Sequence, residues 1–126
     1  MSDKTLIDRH LNTHETDLGQ WNIVVFTALT TALLFYHISQ VKSIEMKKSH
    51  AAIIAISIIF ISLIFNMYSL YNFITRTDIL IKRFPNKNHK DKIRQSQVIY
   101  GITTSILAII QIGITVNIVK HIKKYL

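Results

Sequence analysis

Polar side chains recur at helical spacing inside otherwise apolar sequence. Thr104, Ala108, Gln111 and Thr115 follow one another at steps of four, three and four residues, which places them on one face of a helix. Gly113 and Asn117 mark a neighbouring line, and Ser62, Asn66 and Ser69 share a face upstream. Thr27 with Thr31, and Ala28 with Ala32, put small residues four apart. In apolar surroundings such residues make a helix–helix seam, because small side chains let backbones approach and amides hydrogen-bond across the gap. The alternative is that Ser62, Asn66, Thr104, Gln111, Thr115 and Asn117 line a polar path in an oligomer. The seam is the leading reading and the pore its runner-up.

Other chemistry is thinly provided for. Neutral amides relay neither protons nor charge, whereas pumps, voltage sensors and ion-coupled transporters use ionisable groups at membrane depth. The apolar stretches hold no Lys, Arg, Asp or Glu, and one His, His37, near an end. That residue reads as interfacial rather than as a pH-sensing pore group. His10 and His14 have the four-residue spacing that can hold zinc on a helix. A closed site needs further ligands, and Glu15 and Asp17 point elsewhere, so the pair reads as solvated or headgroup-facing. There is no cysteine, hence no disulfide, thiolate metal site or thiol nucleophile. No Ser/His/Asp set, paired carboxylate or glycine-rich phosphate cradle stands out. The expectation is a protein without enzymatic activity, metal or cofactor.

The elements that position these residues are three charge-free stretches, 21–38, 51–73 and 98–119. At about 1.5 Å of rise per residue, each helix can cross a hydrocarbon core of about 30 Å. With their flanks they make spans of about 21–41, 50–74 and 97–119. The fold expected is all-α and integral to a membrane, with three transmembrane helices and an amphipathic N-terminal helix lying at the interface. Residues 1–20 form that arm and 21–126 the three-helix domain. Within the arm Ile7, Leu11 and Leu18 share a face. Asn12 and Glu15 can make a capping pair that starts a helix near residue 12. Gly19 and Trp21 then turn the chain into the membrane, with Trp21 as interfacial anchor. The short link 42–48 makes the first two spans antiparallel neighbours. In the connection 75–96, Ile79, Leu80, Ile81 and Phe84 continue an interfacial helix until Pro85-Asn86 stops it, and Asn88 and Asp91 cap the third helix.

The net charge of +8 lies outside the apolar stretches. Its densest part is Arg76, Lys82, Arg83, Lys87, Lys90, Lys92 and Arg94. This run reads first as a topology determinant resting on anionic headgroups, at about 1 kcal/mol per residue near the surface. Its functional alternative is a docking site for an acidic protein or polyanion. Aromatic interleaving and an RNA-binding fold are missing, so nucleic acid is not an expected partner. Nine Lys and Arg fall on the face that holds the arm and the second connection, and six on the other. The positive-inside rule therefore places the N-terminus on the cytoplasmic side. The long, mixed-charge arm and the absence of a small-x-small site after residue 38 read the first span as a retained helix rather than a cleaved signal. Ile outnumbers Leu 24 to 11 and Lys outnumbers Arg 11 to 4, a bias that points to an AT-rich genome such as those of large DNA viruses, some bacteria and some protists.

The run Asn12-Thr13-His14-Glu15-Thr16-Asp17-Leu18-Gly19-Gln20-Trp21, and the aromatic-to-basic run Tyr68, Tyr71, Phe73, Arg76, Lys82 and Arg83, carry a family likeness. The chain resembles the YidH/DUF202 family of small three-helix membrane proteins. That family has an amphipathic N-terminal helix with an Asn-x-Arg/Glu-Arg-Thr segment, then a Leu and a Trp before its first span. The resemblance implies the same three-helix layout. The membrane subunits of the polyphosphate-making vacuolar transporter chaperone are eukaryotic relatives, but the motif Arg is absent here, so their polyanion-channel role does not carry over. The function expected is that of a non-enzymatic small multi-pass component of a larger membrane assembly, such as a virion inner-membrane or capsid-anchoring protein. Its expected partners are anionic lipid, copies of itself, or other membrane or capsid proteins. The alternative is a homo-oligomeric, viroporin-like pore.

Overall fold

A computed structural model describes residues 2–41 and 47–123. Over them the chain is all-helical: α1 (Asp3–Val41), α2 (Lys48–Arg83) and α3 (Lys87–Ile122). Each helix is long and apolar enough to cross a membrane. Pairs such as Glu15–Ser96 and Tyr36–His121 show that α1 and α3 run parallel, with α2 antiparallel to both. The main contacts are α1 on α2 and α2 on α3, and α1 touches α3 least.

Local chemistry sets the helix ends. The chain's single Pro, Pro85, sits between α2 and α3, where it cannot break a hydrogen-bond ladder. Asn86 caps α3, its side-chain oxygen accepting from the Asn88 backbone N–H at 2.9 Å. The expected caps, Asn88 and Asp91, therefore lie inside the helix. Lys82 and Arg83 close α2, and Lys120 and His121 close α3, where positive charge suits the carbonyl end of the helix dipole. At the start of α1, the Ser2 hydroxyl accepts from the Thr5 backbone N–H at 3.3 Å.

Two elements differ from the sequence expectation. The arm is not a separate helix that starts near residue 12 and turns at Gly19; α1 is continuous from Asp3 through Trp21 to Val41. The reason is a single stripe: Ile7, Leu11, Leu18, Val25, Leu29 and Ala32 are all buried and stay in phase across Gly19. The connection 75–96 is also almost entirely helical, with only 84–86 outside α2 and α3. The arm and this hairpin pack on one another through Ile7, Leu11, Leu80 and Ile93, with Ile81 and Phe84 alongside. Of the expected 42–48 link, residues 42–46 lie outside the described residues.

The other apolar cluster lies at the opposite end. Leu29, Ala32, Ala52, Ala55, Ile59 and Ile118 are buried there, and the alanines bring the helix axes close. Bulky groups such as Ile53, Phe60, Ile64, Ile102, Ile106 and Ile109 point outward and are more than half exposed.

Continuity through Gly19 is testable. A Cβ at Gly19 would meet nothing within 4 Å, and glycine within a helix costs about 1 kcal/mol relative to alanine. Gly19→Ala is expected to stabilise the protein by about 0.5–1 kcal/mol, read as a raised thermal midpoint in detergent; a lowered one would show that position 19 bends.

Candidate functional site

Between the two apolar clusters the helices meet through polar side chains. Gln111 is fully buried. Its Nε2 donates to Ser62 Oγ at 2.7 Å, and its Oε1 accepts from Asn66 Nδ2 at 3.2 Å. Asn66 Nδ2 also donates to the Thr104 carbonyl at 3.2 Å. The Ser62 hydroxyl donates back to the Ile59 carbonyl at 2.7 Å, and Ser69 to that of Asn66 at 2.8 Å. Asn22 completes the seam from α1, with its amide nitrogen 3.3 Å from Thr104 Oγ1. Asn66 Oδ1 is the one buried side-chain acceptor without a partner among the described residues.

Four of the six residues expected to mark a seam or pore are thus brought together inside one chain: Ser62, Asn66, Thr104 and Gln111. Thr115 is half-buried and bonds its own helix, donating to the Gln111 carbonyl at 2.9 Å. Asn117 is exposed. It faces a cleft of about 390 Å³ between α1 and α3, shared with Tyr36, His37, Gln40 and His121. There the Tyr36 hydroxyl lies 2.5 Å from His121 Nδ1. Ala28 is half-buried and Ala32 fully buried, while Thr27 and Thr31 are exposed. Trp21 lies on the outer surface of α1 and stacks on Phe65 of α2, centroids 5.7 Å apart and planes 11° from parallel.

A second polar knot ties the charged end. Gln97 Nε2 donates to Thr77 Oγ1 and Asp78 Oδ1, both at 2.8 Å, and its Oε1 accepts from Arg94 Nη1 at 2.8 Å. Arg94 also pairs with Asp78 at 3.2 Å. The arm is held by Ser96 donating to Glu15 at 2.6 Å and by the Asp8–Lys92 ion pair. The basic run therefore divides. All seven residues are exposed, and Lys92 and Arg94 among them pair with acids on neighbouring helices. The Arg83 guanidinium lies 5.6 Å from the centroid of the Phe84 ring.

Sequence reasoning passed over Asn22, Thr77 and Gln97. Asn22 was legible in principle, since Leu18, Asn22, Val25 and Leu29 follow one another at helical steps along one stripe. Thr77 and Gln97 lie just beyond the apolar stretches, where polar residues are ordinary. Among the described residues no three His, Asp or Glu gather as a metal site, and His10 and His14 are each half-buried. In chemical terms the seam holds amides and hydroxyls, which exchange hydrogen bonds and carry no charge. Compared with known proteins, the chain matches no family model, no curated protein and no solved structure.

Two outcomes follow. The Asn66–Gln111 coupling, measured by a double-mutant cycle with Asn66→Ala and Gln111→Ala in detergent unfolding, is expected at about 0.5–1.7 kcal/mol, the range of interhelical polar contacts; a value near zero would mean the amides do not meet. Acid should loosen the arm. The hydrogen bond and charge of Lys92 hold the Asp8 carboxyl below its ordinary pKa. Burial, with Arg76 and His10 nearby and against a smaller opposing effect of Asp17, depresses His14. Both groups bind protons more readily when the arm is undocked, so stability present above the unfolded pKa is lost as pH falls. His14 acts first, below about pH 6.5, and Asp8 follows in the carboxylate range. Amide-exchange protection of residues 3–14 should fall between pH 7.5 and 5, and His14→Gln should flatten that dependence.

Proposed function

We propose that this chain is a non-enzymatic, multi-pass integral membrane protein that acts as a structural or accessory component of a larger membrane assembly. One observation carries the reading: the side chains are distributed inside out. Ser39, Ser62, Asn66, Ser69, Thr104 and Gln111 are buried, while Ile23, Phe26, Ile53, Phe60, Ile64, Ile102 and Ile109 are exposed around all three helices. In water that outer surface would drive aggregation. Against lipid tails it costs nothing, and buried amides and close alanine contacts then hold the helices together.

The N-terminal face is assigned to the cytoplasm by its excess of Lys and Arg. The partners are anionic lipid at Arg76, copies of the chain, or other membrane or capsid proteins. A virion inner membrane is one setting that suits the AT-rich residue usage. The seam favours packing over conduction, because Gln111 bonds Ser62 and Asn66 of its own chain instead of facing a neighbouring copy.

The test is extraction and cross-linking. The chain should resist alkaline carbonate extraction from its native membrane, and cross-linking followed by mass determination should give a defined complex. Recovery as a monomer alone would overturn the assembly reading, and bilayer conductance abolished by Gln111→Leu would replace it with the pore.

A further inference from the structure

The exposed cations of the α2–α3 hairpin stand away from the membrane that the apolar segments would cross. The outermost tyrosines on that side are Tyr71 on α2 and Tyr100 on α3, residues of the kind that mark a membrane–water boundary. Lys82 and Arg83 lie 11 and 12 residues beyond Tyr71, and Lys87 and Lys90 lie 13 and 10 residues before Tyr100. At about 1.5 Å per residue, these cations sit about 15–20 Å from those tyrosines along the helices. The headgroup layer is only about 5–7 Å deep on each side, and screening at physiological salt acts over about 8 Å.

The hairpin is built so that it stays upright. α2 runs unbroken from the apolar segment to Arg83. The arm buttresses the hairpin through Ile7 and Leu11 against Leu80 and Ile93, and through the Asp8–Lys92 ion pair. Arg76, near the foot, can meet the headgroups of its own bilayer, whereas the tip cations cannot reach them without unpacking this buttress.

What the tip can bind is limited by its surface. Lys82, Arg83, Lys87 and Lys90 are exposed together with Asn86, Asn88 and one acid, Asp91. No large hydrophobic residue between 81 and 97 is exposed; Phe84 packs against the buttress cluster. Protein interfaces are anchored mainly by Trp, Tyr and Arg; this tip offers no Trp or Tyr and a single Arg, Arg83. A cluster of cations at the apex of a rigid post suits a flat anionic surface. The Lys/Arg count places the tip in the cytoplasm, where facing leaflets carry the anionic lipids.

We propose that the α2–α3 tip, through Lys82, Arg83, Lys87 and Lys90, docks on the anionic headgroups of a second membrane facing the one in which the chain sits. The proposal rests on the membrane reading above. It is tested by reconstituting the full chain in phosphatidylcholine vesicles, confirming carbonate-resistant insertion, and adding protein-free vesicles with and without phosphatidylserine. Phosphatidylserine vesicles should be recruited at least tenfold better than neutral ones. Recruitment should fall steeply between 50 and 300 mM salt and drop at least tenfold in the K82Q/R83Q/K87Q/K90Q variant, whose substitutions are all on the surface. Recruitment that is absent, or unchanged in the variant, overturns the proposal. Capture of polyglutamate but not of phosphatidylserine vesicles also overturns it, and assigns the tip to an acidic protein. Removal of the chain by carbonate before any vesicle is added overturns the insertion reading, and the docking with it.

Discussion

A buried amide in an apolar bundle must find a partner, and the geometry of this protein turns on how Gln111 and Asn66 meet that demand. Each unmade hydrogen bond to a buried polar group costs about 1–3 kcal/mol. Gln111 answers by reaching Ser62 and Asn66, and Asn66 Nδ2 also reaches the Thr104 carbonyl, while Asn66 Oδ1 stays the one unpartnered acceptor among the described residues. These contacts admit one register between α2 and α3, because sliding either helix by a turn would strand both amides. Asn22 adds the same constraint from α1 through Thr104. Apolar contacts alone would be less selective here: the outward residues are mostly isoleucine, and one isoleucine face resembles another.

The two ends use different physics. At one end Ala32, Ala52 and Ala55 let the helices approach, so packing there depends on what is absent from the side chains. At the other, charged residues are plentiful and water is at hand. Exposed ion pairs contribute little there, and the buried group Ile7, Leu11, Leu80 and Ile93 does most of the holding. Asp8–Lys92 and Arg94–Asp78 fix orientation more than they add stability. This end continues α2 and α3 beyond their apolar segments, which separates the tip cations from Arg76 along the helices.

Much of this was legible in the residues. Three charge-free stretches mark three helices, because no soluble core needs so many consecutive apolar residues. Ser62, Asn66, Thr104 and Gln111 stand out as isolated polar groups at helical spacing, and the structure brings all four together. Pro85 marks the break between α2 and α3. The stop was readable because a proline cannot donate to the ladder, but the cap went to Asn86 rather than Asn88 or Asp91. That choice turns on backbone dihedrals at one residue.

Sequence by itself determined the number of helices, their order and the chemistry of the seam, since each follows from local composition and the 3.6-residue repeat. Tertiary structure decided whether the arm turns at Gly19 or continues. Glycine permits both, and the buried stripe against α2 selects the continuous helix. It also decided that Asn117 is exposed at the α1–α3 cleft while Gln111, six residues earlier, is buried. Spacing gives relative angles around a helix but not which angle points to a neighbour. The division of the basic run was equally invisible, because a lysine reads alike in sequence whether or not an aspartate from a helix more than 80 residues away lies beside it, as Asp8 does beside Lys92.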